Sequence, residues 1–376
     1  MIASGRIFSA DAMGQISDIN IRPMRHDERA HVRAIMRQSF SLIEGYFFEW
    51  TPHVLVAEQG GHLLGAIMLK LFTLPHNRQG GSISWVFITP EARGRRLGQH
   101  LVEAGLNFLD HQGCDEILTN VEGCNTSSSK LFATRGFDIL SPAAQFKRYG
   151  LATFAVWAKL FHYAETGYFI WARPAPQAAD SPTLQWWGTI VANSALGYLM
   201  LWRLGITRAI DPVMWSMLPI ILTLLFGLRY LGMVLMASQQ RLTMRFRAWE
   251  SGFPLSLAIT LVFSGAIYPL PGSVYPKTHQ WRYRDWQPKL GWVALAGTLP
   301  VLLLLWSVWV ISQLGILSPT LSAGLNLTLW LGKPLILFDI ALPFFPFTCF
   351  NGRRLWDWNK IIWALLAIAA VAIWLF

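Results

Sequence analysis

The chain of 376 residues is organised around the stretch Ser84-Trp-Val-Phe-Ile-Thr-Pro-Glu-Ala-Arg-Gly-Arg-Arg-Leu-Gly-Gln-His-Leu-Val-Glu103. Residues 84–89 are rich in β-branched and aromatic side chains, which predicts a buried strand that Pro90 ends. From Leu97 the apolar residues recur at helical spacing. The turn between this strand and this helix is basic and contains glycine. Because the first amides of a helix have no partners, the turn predicts an anion site suited to a pyrophosphate.

This turn resembles the acyl-CoA-binding signature of the GNAT acetyltransferases, Arg/Gln-x-x-Gly-x-Gly/Ala. Arg93 and Gly98 match its first and last positions, and Arg96 stands where the central glycine usually stands. An arginine there still donates its backbone N–H if the backbone keeps a helical conformation. The resemblance implies an acyl-CoA site made by Arg93, Gly94, Arg95, Arg96, Leu97 and Gly98. The turn by itself is also compatible with any strand-turn-helix unit that has basic residues between its elements.

Two more stretches resemble the same family, and they follow the family's order. Ile21-Arg22-Pro23 is similar to its opening strand, and Asn125-x-x-Ser128-x-x-Leu131-Phe132-x-x-x-Gly136-Phe137 is similar to a late motif. The order of strands and helices over about residues 19–173 agrees with the family as well. The resemblance therefore implies an α+β domain with a mixed central sheet flanked by helices, and it adds Asn125 and Phe132 to the predicted cofactor site.

The resemblance also implies the chemistry, which is transfer of acetyl from acetyl-CoA to an amine. In the family the pantetheine pairs with the central strand, so that backbone N–H groups near Phe87 and Ile88 polarise the thioester carbonyl. Many members protonate the leaving thiolate with a tyrosine, but the matching residue here is Phe132, which has no proton to give. Glu122, at the end of the next predicted strand, is the candidate base that deprotonates the amine.

Other residues in the first half are weaker candidates for the chemistry. Glu44 and Glu49 lie in the region that usually faces the substrate. An ordinary solvated or salt-bridged glutamate is an open alternative for both of them and for Glu122. Cys124 is a candidate acyl-carrying nucleophile, and a small structural cysteine is its alternative.

Composition separates the chain into two halves. Eight of the nine histidines lie in the first half, whereas long apolar stretches dominate from Leu184 onward. This asymmetry predicts a soluble domain followed by a membrane domain. The formal net charge of +10 fits a phosphate-bearing CoA and anchoring to anionic lipid, and we expect no nucleic-acid partner. The three cysteines have no disulfide or metal spacing, so we expect them to be reduced.

The sequence predicts a flexible N-terminal tail at 1–17, an acyl-CoA-binding domain at 18–173, a Pro/Ala linker at 174–183 and a polytopic membrane domain at 184–376. The membrane domain is expected to have five or six apolar helices. The apolar segments lie at about 185–204, 212–237, 253–270, 290–313, 327–349 and 361–376. With the first domain in the cytoplasm, the positive-inside rule favours a third segment that enters the membrane and returns.

An aromatic insert separates the last two strands predicted for the first domain, Ala143–Tyr149 and Thr166–Arg173. The insert, residues 151–163, has a helical pattern. Three positions remain open for it: the membrane interface, a contact with the membrane domain, or the surface of the first domain.

The second half has its own resemblance, to the site-2 protease family of intramembrane zinc peptidases. The similar landmarks are Arg247-Ala-Trp-x-x-Gly252, Pro271-Gly-Ser-Val-Tyr275, Ala294-Leu-Ala-Gly297 and Phe350-Asn-Gly-Arg-Arg354. That family binds zinc through H-E-x-x-H and a later aspartate. The corresponding residues here are Arg229-Tyr-Leu-Gly-Met233 and Asn351. The sequence therefore predicts no metal site and a peptidase scaffold without peptidase chemistry.

Two charged residues, Arg229 and Asp339, fall inside predicted membrane segments. Charges at membrane depth usually face a partner or a polar cavity. We expect the two side chains to pair where the zinc of a site-2 protease lies. The alternative is that each sits near a segment end and reaches toward the membrane surface.

These observations favour a membrane-anchored N-acyltransferase that transfers acetyl from acetyl-CoA to a primary amine. The acceptor is unidentified, and a membrane-borne acceptor is compatible with the second half. The expected partners are acetyl-CoA, the amine acceptor and the lipid bilayer. The alternative function is a non-catalytic membrane protein that senses acyl-CoA or binds a partner on an inactive protease scaffold, and Arg96 and Phe132 favour it.

Overall fold

The computed structural model describes residues 19–163, 165–176, 180–205, 212–263, 265–279, 281–314 and 318–376. The predicted tail at 1–17 and linker residues 177–179 lie outside these ranges. The chain divides into two compact units, one of residues up to Asn120 with 172–174 and one of residues 121–171 with 175–376. This division differs from the sequence-based domains, because residues 121–171 pack with the helices that follow. Within the second unit, for example, Ser251 Oγ donates a hydrogen bond to Glu165 O (2.8 Å).

The first unit is built on a mixed sheet, as the sequence predicted. Its strands are β1 (Asn20–Pro23), β2 (His53–Gln59), β3 (His62–Leu74), β4 (Arg78–Ile88) and residues 116–120 of β5 (Glu116–Glu122), whose last two residues belong to the second unit. Its helices are α1 (Arg29–Ser39), α2 (Leu42–Tyr46) and α3 (Leu97–His111). The first four strands pair antiparallel in chain order, and β4 pairs parallel with β5. The hairpin turn between β2 and β3 holds Gly60 and Gly61 at φ +57° and +82°, a region that glycine enters freely.

The core of the first unit lies between α1 and the sheet. Val32, Ile35 and Met36 of α1 are at most 2% exposed and cluster with side chains of β2, β3 and β4. These residues recur at helical spacing, which gives α1 one buried face. The helix thereby fixes one face of β4, the strand that leads into the basic turn.

Two short strands complete the sheet. They are β6 (Asp138–Ile139) and β7 (Tyr168–Arg173), and the hydrogen-bonded order of the strands is β1-β2-β3-β4-β5-β7-β6. Residues 126–133 form α4 (Thr126–Ala133).

The predicted strand at Ala143–Tyr149 is wrong, because these residues form the helix α5 (Pro142–Tyr149). Proline suits the first position of a helix, and Ala143 and Ala144 favour its first turn, so local preference outweighs the expected strand. The aromatic insert forms α6 (Thr153–Leu160), which confirms its helical pattern. Trp157 Nε1 of α6 donates a 2.6 Å hydrogen bond to Gln145 Oε1 of α5. Gln145 Nε2 in turn donates to Glu250 Oε1 (3.1 Å), so the insert packs with residues of the helical region.

The rest of the second unit is helical. Its helices are α7 (Pro182–Arg203), α8 (Pro212–Gln239), α9 (Phe253–Val262), α10 (Tyr283–Ser312), α11 (Pro319–Ile336), α12 (Asn351–Trp358) and α13 (Lys360–Leu375), and a π-helical turn, Leu337–Ala341, follows α11. A hairpin of β8 (Met244–Arg247) and β9 (Ser273–Pro276) lies among them. The sequence did not predict this hairpin or α12.

Within the described ranges, three helices are long and apolar enough to cross a membrane: Trp215–Gln239, Tyr283–Ser312 and Pro319–Ala341. They correspond to the second, fourth and fifth predicted segments. In the third segment α9 has only 10 residues, or about 15 Å of helix. That length is about half of a typical hydrocarbon core, so α9 cannot cross a bilayer as a helix.

Small residues allow α8 and α10 to approach closely. A Cβ atom built on Gly232 of α8 would lie 1.9 Å from Ala296 O of α10. A Cβ on Gly297 of α10 would lie 2.6 Å from Met233 Cγ of α8. Backbone contact of this kind is typical of helix pairs in membranes, where small side chains let dispersion forces act over a long interface.

We expect Gly232→Ala to lower the stability of the protein by about 1–3 kcal/mol, because the new methyl group forces the two helix backbones apart. The measurement is the thermal unfolding midpoint of the detergent-purified full-length protein. Gly227→Ala is the matched control, since it lies in the same helix and a Cβ there would meet no atom within 4 Å. Equal midpoints for the two variants would contradict the close packing.

Candidate functional site

Strand β4 stops pairing with β5 before it reaches its own carboxyl end. The parallel pairing of these strands runs from Gly80–Glu116 to Ile83–Thr119 and goes no further. The pairing of β3 with β4 continues to Ile88 but skips Ser84, which is an extra residue on β4. A bulge of this kind bends a strand and increases its twist. Beyond Ser84, β4 therefore has a free edge on the side that faced β5.

Hydrogen bonding determines which amides of β4 lie on that free edge. Thr89 N donates to Leu64 O of the neighbouring chain segment (2.8 Å). Since successive amides of a strand point to opposite sides, Phe87 directs its amide toward β3 and Ile88 directs its amide toward the free edge. Of the two predicted amides, only that of Ile88 is placed to receive an added partner. The side chain of Phe87 is buried among aromatic rings, with Phe40 at 6.3 Å and Phe48 at 6.1 Å between ring centroids.

The basic turn after β4 presents unpaired amides. The helix α3 begins at Leu97, and no side chain caps it. Within the described chain, no hydrogen bond has the amide of Gly94, Arg96, Leu97 or Gly98 as its donor. A Cβ atom on Gly98 would meet no atom within 4 Å, so there is open space beside these donors. Unpaired amides at the positive end of a helix dipole are the usual donors to a bound phosphate.

Three arginines belong to the same turn. Arg93, Arg95 and Arg96 are exposed, and no carboxylate of the described residues lies within 4 Å of them. Guanidinium groups without a protein counter-ion are suited to bind phosphate oxygens through two hydrogen bonds each. The turn therefore combines backbone donors, a helix dipole and three positive charges in the first unit.

Arg96 adopts a conformation that its side chain disfavours. Its φ and ψ are 58° and 11°, which lie in the left-handed region and not in the right-handed helical region. The family signature has glycine at this position, and glycine adopts the left-handed conformation without strain. For other L-residues the conformation costs about 1–2 kcal/mol. The arginine thus adds a charge to the turn and strains its backbone.

We expect Arg96→Gly to raise the stability of the full-length protein by about 1 kcal/mol, because glycine removes the steric cost of the left-handed conformation. The thermal unfolding midpoint measures this gain. Arg95→Gly is the control, because Arg95 lies outside the left-handed region and the substitution removes the same charge from the same turn. An unfolding midpoint of Arg96→Gly that is no higher than that of Arg95→Gly would contradict a strained backbone at Arg96.

The other predicted residues of the site lie in the second unit. Glu122 lines a cavity of about 20 Å³, a size that holds about one water, and it shares this cavity with Arg247 and His279. His279 Nε2 lies 3.4 Å from Asp138 Oδ1. The hydrogen bond from His279 lowers the pKa of the Asp138 carboxyl. The candidate base therefore has a guanidinium and an imidazole from the helical region beside it.

Asn125 and Phe132 have structural roles in the second unit. Asn125 caps α4, since its Oδ1 accepts a hydrogen bond from Ser128 N (3.1 Å). Phe132 is 4% exposed, and its ring packs on Phe137 with centroids 5.2 Å apart. Burial raises the pKa of the Cys124 thiol to about 11. A thiol with this pKa is protonated at neutral pH, which argues against Cys124 as a nucleophile.

Glu44 and Glu49, the weaker candidates of the first unit, are engaged in structural contacts. Glu44 Oε2 accepts hydrogen bonds from Ser41 N (2.9 Å) and Ser41 Oγ (2.6 Å) and completes the capping box of α2. Glu49 Oε2 forms an ion pair with Lys70 Nζ (2.6 Å). These contacts agree with the alternative named from the sequence, that Glu44 and Glu49 are ordinary hydrogen-bonded or salt-bridged glutamates.

Arg229 and Asp339 pair with each other in the core of the second unit, as the sequence predicted. Arg229 Nε and Nη2 donate to the two oxygens of Asp339 at 3.0 and 2.8 Å. Arg229 Nη1 donates to Gly272 O (2.9 Å), and Asn351 Nδ2 donates to Asp339 Oδ2 (3.0 Å). Both charged side chains are at most 2% exposed. Among the described residues there is no group of three His, Cys, Asp or Glu that could hold a metal ion.

We expect Arg229→Met to destabilise the protein by about 3–5 kcal/mol, because it leaves the carboxylate of Asp339 buried without its cation. The double variant Arg229→Met/Asp339→Leu should lose less, since it removes both charges. Thermal unfolding of the purified full-length variants compares the two losses. Equal losses would show that volume, and not the uncompensated charge, sets the cost.

Sequence comparison agrees with this geometry. Residues 19–137 match the model of the acetyltransferase (GNAT) family. The match contains the first five strands of the mixed sheet and the basic turn after β4. The predicted fold class is confirmed: an α+β GNAT domain with helices on a mixed sheet, followed by a helical region that has three candidate membrane-spanning helices.

Several curated proteins are similar to parts of the chain. A mycothiol acetyltransferase of Renibacterium salmoninarum is 30% identical over 98 residues, which are 26% of this chain and 29% of that protein. N-alpha-acetyltransferase 30 of Xenopus laevis is 26% identical over 130 residues, which are 32% of this chain and 48% of that protein. The chain thus spans less than half the length of these relatives.

One similarity concerns a different class of protein. A protein of Methanocaldococcus jannaschii that is named, provisionally, as a zinc metalloprotease is 29% identical over 136 residues, which are 35% of this chain and 64% of that protein.

Among solved structures, Arabidopsis thaliana Naa50 with a bisubstrate analogue overlaps 42% of this chain and 98% of its own, with a TM-score of 0.31 and 14% identity. A GNAT acetyltransferase of Brucella melitensis with acetyl-CoA overlaps 32% of this chain and 82% of its own, with a TM-score of 0.27 and 20% identity.

Sequence reasoning missed the residues that surround Glu122. Arg247, Tyr275 and His279 come from the hairpin and the loop after it, more than 120 positions along the chain from the candidate base. The signal was present, since Arg247 and Tyr275 belong to two of the four motifs quoted for the helical region. Nothing in the sequence connects those motifs to the end of β5 in the GNAT domain.

Proposed function

We propose that this protein is a membrane-anchored N-acetyltransferase that moves acetyl from acetyl-CoA to a primary amine. The observation that carries the proposal is the turn at 93–98, which combines amides that have no partner among the described residues, three exposed arginines and open space beside Gly98 at the start of α3. The match of residues 19–137 to the GNAT family supports the same reaction class.

Each step of the reaction has a candidate group. The amides and arginines of the turn hold the pyrophosphate, and the resemblance adds Asn125 and Phe132 to the residues that contact the cofactor. The amide of Ile88 polarises the thioester carbonyl. The amine nitrogen attacks the carbonyl carbon, the C–S bond breaks, and CoA leaves as its thiolate. Glu122 accepts the proton that the amine loses. Because Phe132 has no acidic proton, the thiolate takes its proton from solvent.

The helical region anchors the enzyme in a membrane. Its three long apolar helices support this role. We propose that the GNAT domain faces the cytoplasm, where acetyl-CoA is made, and that the acceptor is membrane-borne. The name of the Xenopus relative indicates that its acceptor is an amine, and this supports an amine acceptor here.

We further propose that the helical region is a site-2 protease scaffold without its metal. Arg229 replaces part of the zinc-binding sequence, and its guanidinium places a positive charge against Asp339 and Asn351. The similarity to the M. jannaschii protein supports this relationship. An internal ion pair satisfies the buried carboxylate, so the scaffold needs no metal for its charge balance.

The experiment is acetyl-CoA binding by calorimetry to the detergent-purified full-length protein. We expect micromolar binding by the wild type, about tenfold weaker binding by Arg93→Ala, and no binding by Gly98→Leu, whose side chain occupies the phosphate position. Gly227→Leu is the control, because it also adds a leucine to an open helical glycine. Failure of the wild type to bind would refute the proposal.

A second assay separates the enzyme from the alternative function. Release of free CoA thiol is followed while the protein in membranes receives amino sugars, polyamines, peptides with free N-termini and aminophospholipid vesicles. Thiol release that depends on an amine supports the transferase. Binding of acetyl-CoA without thiol release for any of these amines favours the sensor, which Phe132 also favours because it removes the usual proton donor.

A further inference from the structure

The candidate base Glu122 shares its small cavity with side chains from distant parts of the second unit. The cavity of about 20 Å³ is lined by Glu122 at the end of β5, by Arg247 of β8 and by His279, which follows β9. Phe169 and Trp171 of β7 form an aromatic wall. The cavity therefore brings a carboxylate, a guanidinium and an imidazole to one small space.

The cavity has room for one water molecule and polar groups that can bind it. A cavity of more than about 10–15 Å³ holds a water if two to four polar groups line it. Besides the three charged or titratable side chains, the hydroxyl-bearing Ser129 lines this space. Since Ser129 Oγ donates its hydrogen to Asn125 O (3.0 Å), it offers its lone pairs to a water. The size and polarity of the cavity thus predict a water that bridges Glu122 and His279.

Asp138 determines which nitrogen of the His279 imidazole can accept a proton. His279 Nε2 lies 3.4 Å from Asp138 Oδ1. An ionised carboxylate only accepts hydrogen bonds, so Nε2 carries the hydrogen of the neutral imidazole and Nδ1 keeps its electron pair. The ring also packs on the indole of Trp171, with ring centroids 4.7 Å apart, which restricts its rotation. These contacts leave Nδ1 as the proton acceptor of the imidazole.

The charges near His279 suit both uptake and release of a proton. The carboxylates of Asp138 and Glu122 favour the imidazolium, whereas the guanidinium of Arg247 disfavours it. Arg247 Nη1 pairs with Asp180 Oδ2 (3.2 Å), which offsets part of its charge. The side chain of His279 is 29% exposed, so an imidazolium there can pass its proton to solvent.

A phenol also lines the cavity, that of Tyr275. Burial raises the pKa of Tyr275 well above its usual value, so the phenol keeps its proton at neutral pH. Its hydroxyl accepts a hydrogen bond from Trp249 Nε1 (2.9 Å). Among the described residues that line the cavity, Glu122 and His279 are therefore the two side chains that can exchange protons near neutral pH.

We propose that His279 takes up the proton that Glu122 removes from the amine. The proposal rests on the proposed acetyl transfer, in which Glu122 is the base. As the N–C bond forms, the amine nitrogen gives its proton to the Glu122 carboxylate. The resulting carboxylic acid gives a proton to the bridging water, and the water gives one of its own to His279 Nδ1. Carboxylate and water are thereby restored, and the imidazolium releases the proton to solvent.

This role makes His279 a positioning residue, because it acts through Glu122 and does not touch the amine. It also changes the part that the helical region plays. His279 follows the hairpin of β8 and β9, which lies among the apolar helices. A region that the sequence predicts as an anchor then supplies a group on which the proton transfer depends.

The first test measures the protonation of His279 by nuclear magnetic resonance on the detergent-purified full-length protein. The nine histidines carry a ¹³C label in the imidazole, and the signal absent from His279→Gln is that of His279. We expect Glu122→Gln and Asp138→Asn each to lower the titration midpoint of His279 by about one pH unit, because each removes a carboxylate that favours the imidazolium. Glu103→Gln is the control, since that carboxylate lies beside His100 (3.7 Å) and should leave the His279 signal unchanged.

The second test follows thiol release with the amine that supports the fastest reaction. We expect His279→Gln to lower kcat about tenfold or more, with the KM values of acetyl-CoA and of the amine unchanged. The kcat of the wild type should fall as the pH drops through the titration of His279, since an imidazolium accepts no proton, and His279→Gln should lack this dependence. Glutamine keeps a side-chain N–H for Asp138, so a purely structural role of His279 would survive the substitution.

Two results would overturn the proposal. One is a titration of His279 that Glu122→Gln leaves unchanged, and the other is a kcat and pH profile that His279→Gln leaves unchanged. Absence of thiol release with every amine refutes the transferase instead, and the titration then still decides whether Glu122 and His279 are coupled. If His279→Gln does not fold, His279→Asn replaces it in both tests.

Discussion

The helical region depends on the buried pair of Arg229 and Asp339. A guanidinium or a carboxylate alone in this core would lack compensation for its lost hydration, whereas the bidentate pair satisfies most of their hydrogen-bonding groups. Their other partners, Gly272 O and Asn351 Nδ2, belong to the segment before β9 and to the start of α12. Two charges thus join α8, the π-helical turn, the hairpin and α12 at one point. The close contact of α8 with α10 at Gly232 and Gly297 surrounds this pair with apolar helices.

The GNAT domain uses a different constraint, which is the extra residue in β4. Ser84 ends the pairing of β4 with β5, and the strand continues with one edge free. The same strand then enters the turn whose amides have no partners. One local irregularity therefore prepares both ends of the proposed cofactor site: a backbone donor at Ile88 for the thioester, and an anion site at the start of α3 for the pyrophosphate. Arg96 supplies a further charge to this site at the cost of a strained backbone.

The proposed cofactor site follows from polar groups that folding leaves without partners. At the turn these groups are exposed amides and guanidinium groups, which suit an anion. The aromatic insert is held in the second unit by side-chain hydrogen bonds. Trp157 Nε1 donates to Gln145 Oε1, and Gln145 Nε2 donates to Glu250 Oε1, so three residues from distant parts of the chain are connected in one buried network.

The sequence by itself determined the elements whose pattern is local. Hydrophobic patterns predicted the end of β4 and the start of α3, because burial on one face follows from the order of residues. The long apolar runs predicted five or six membrane helices, and three helices of the described residues are long and apolar enough to cross a membrane. The sequence also predicted the pairing of Arg229 with Asp339, since charges at membrane depth must find partners. The segment Ala143–Tyr149 was misassigned because its short apolar pattern fits a strand as well as a helix. Only the tertiary structure decided that residues 121–171 pack with the helical region and that Arg247 and His279 lie beside Glu122. These facts depend on contacts between residues far apart in the chain, which no local pattern specifies.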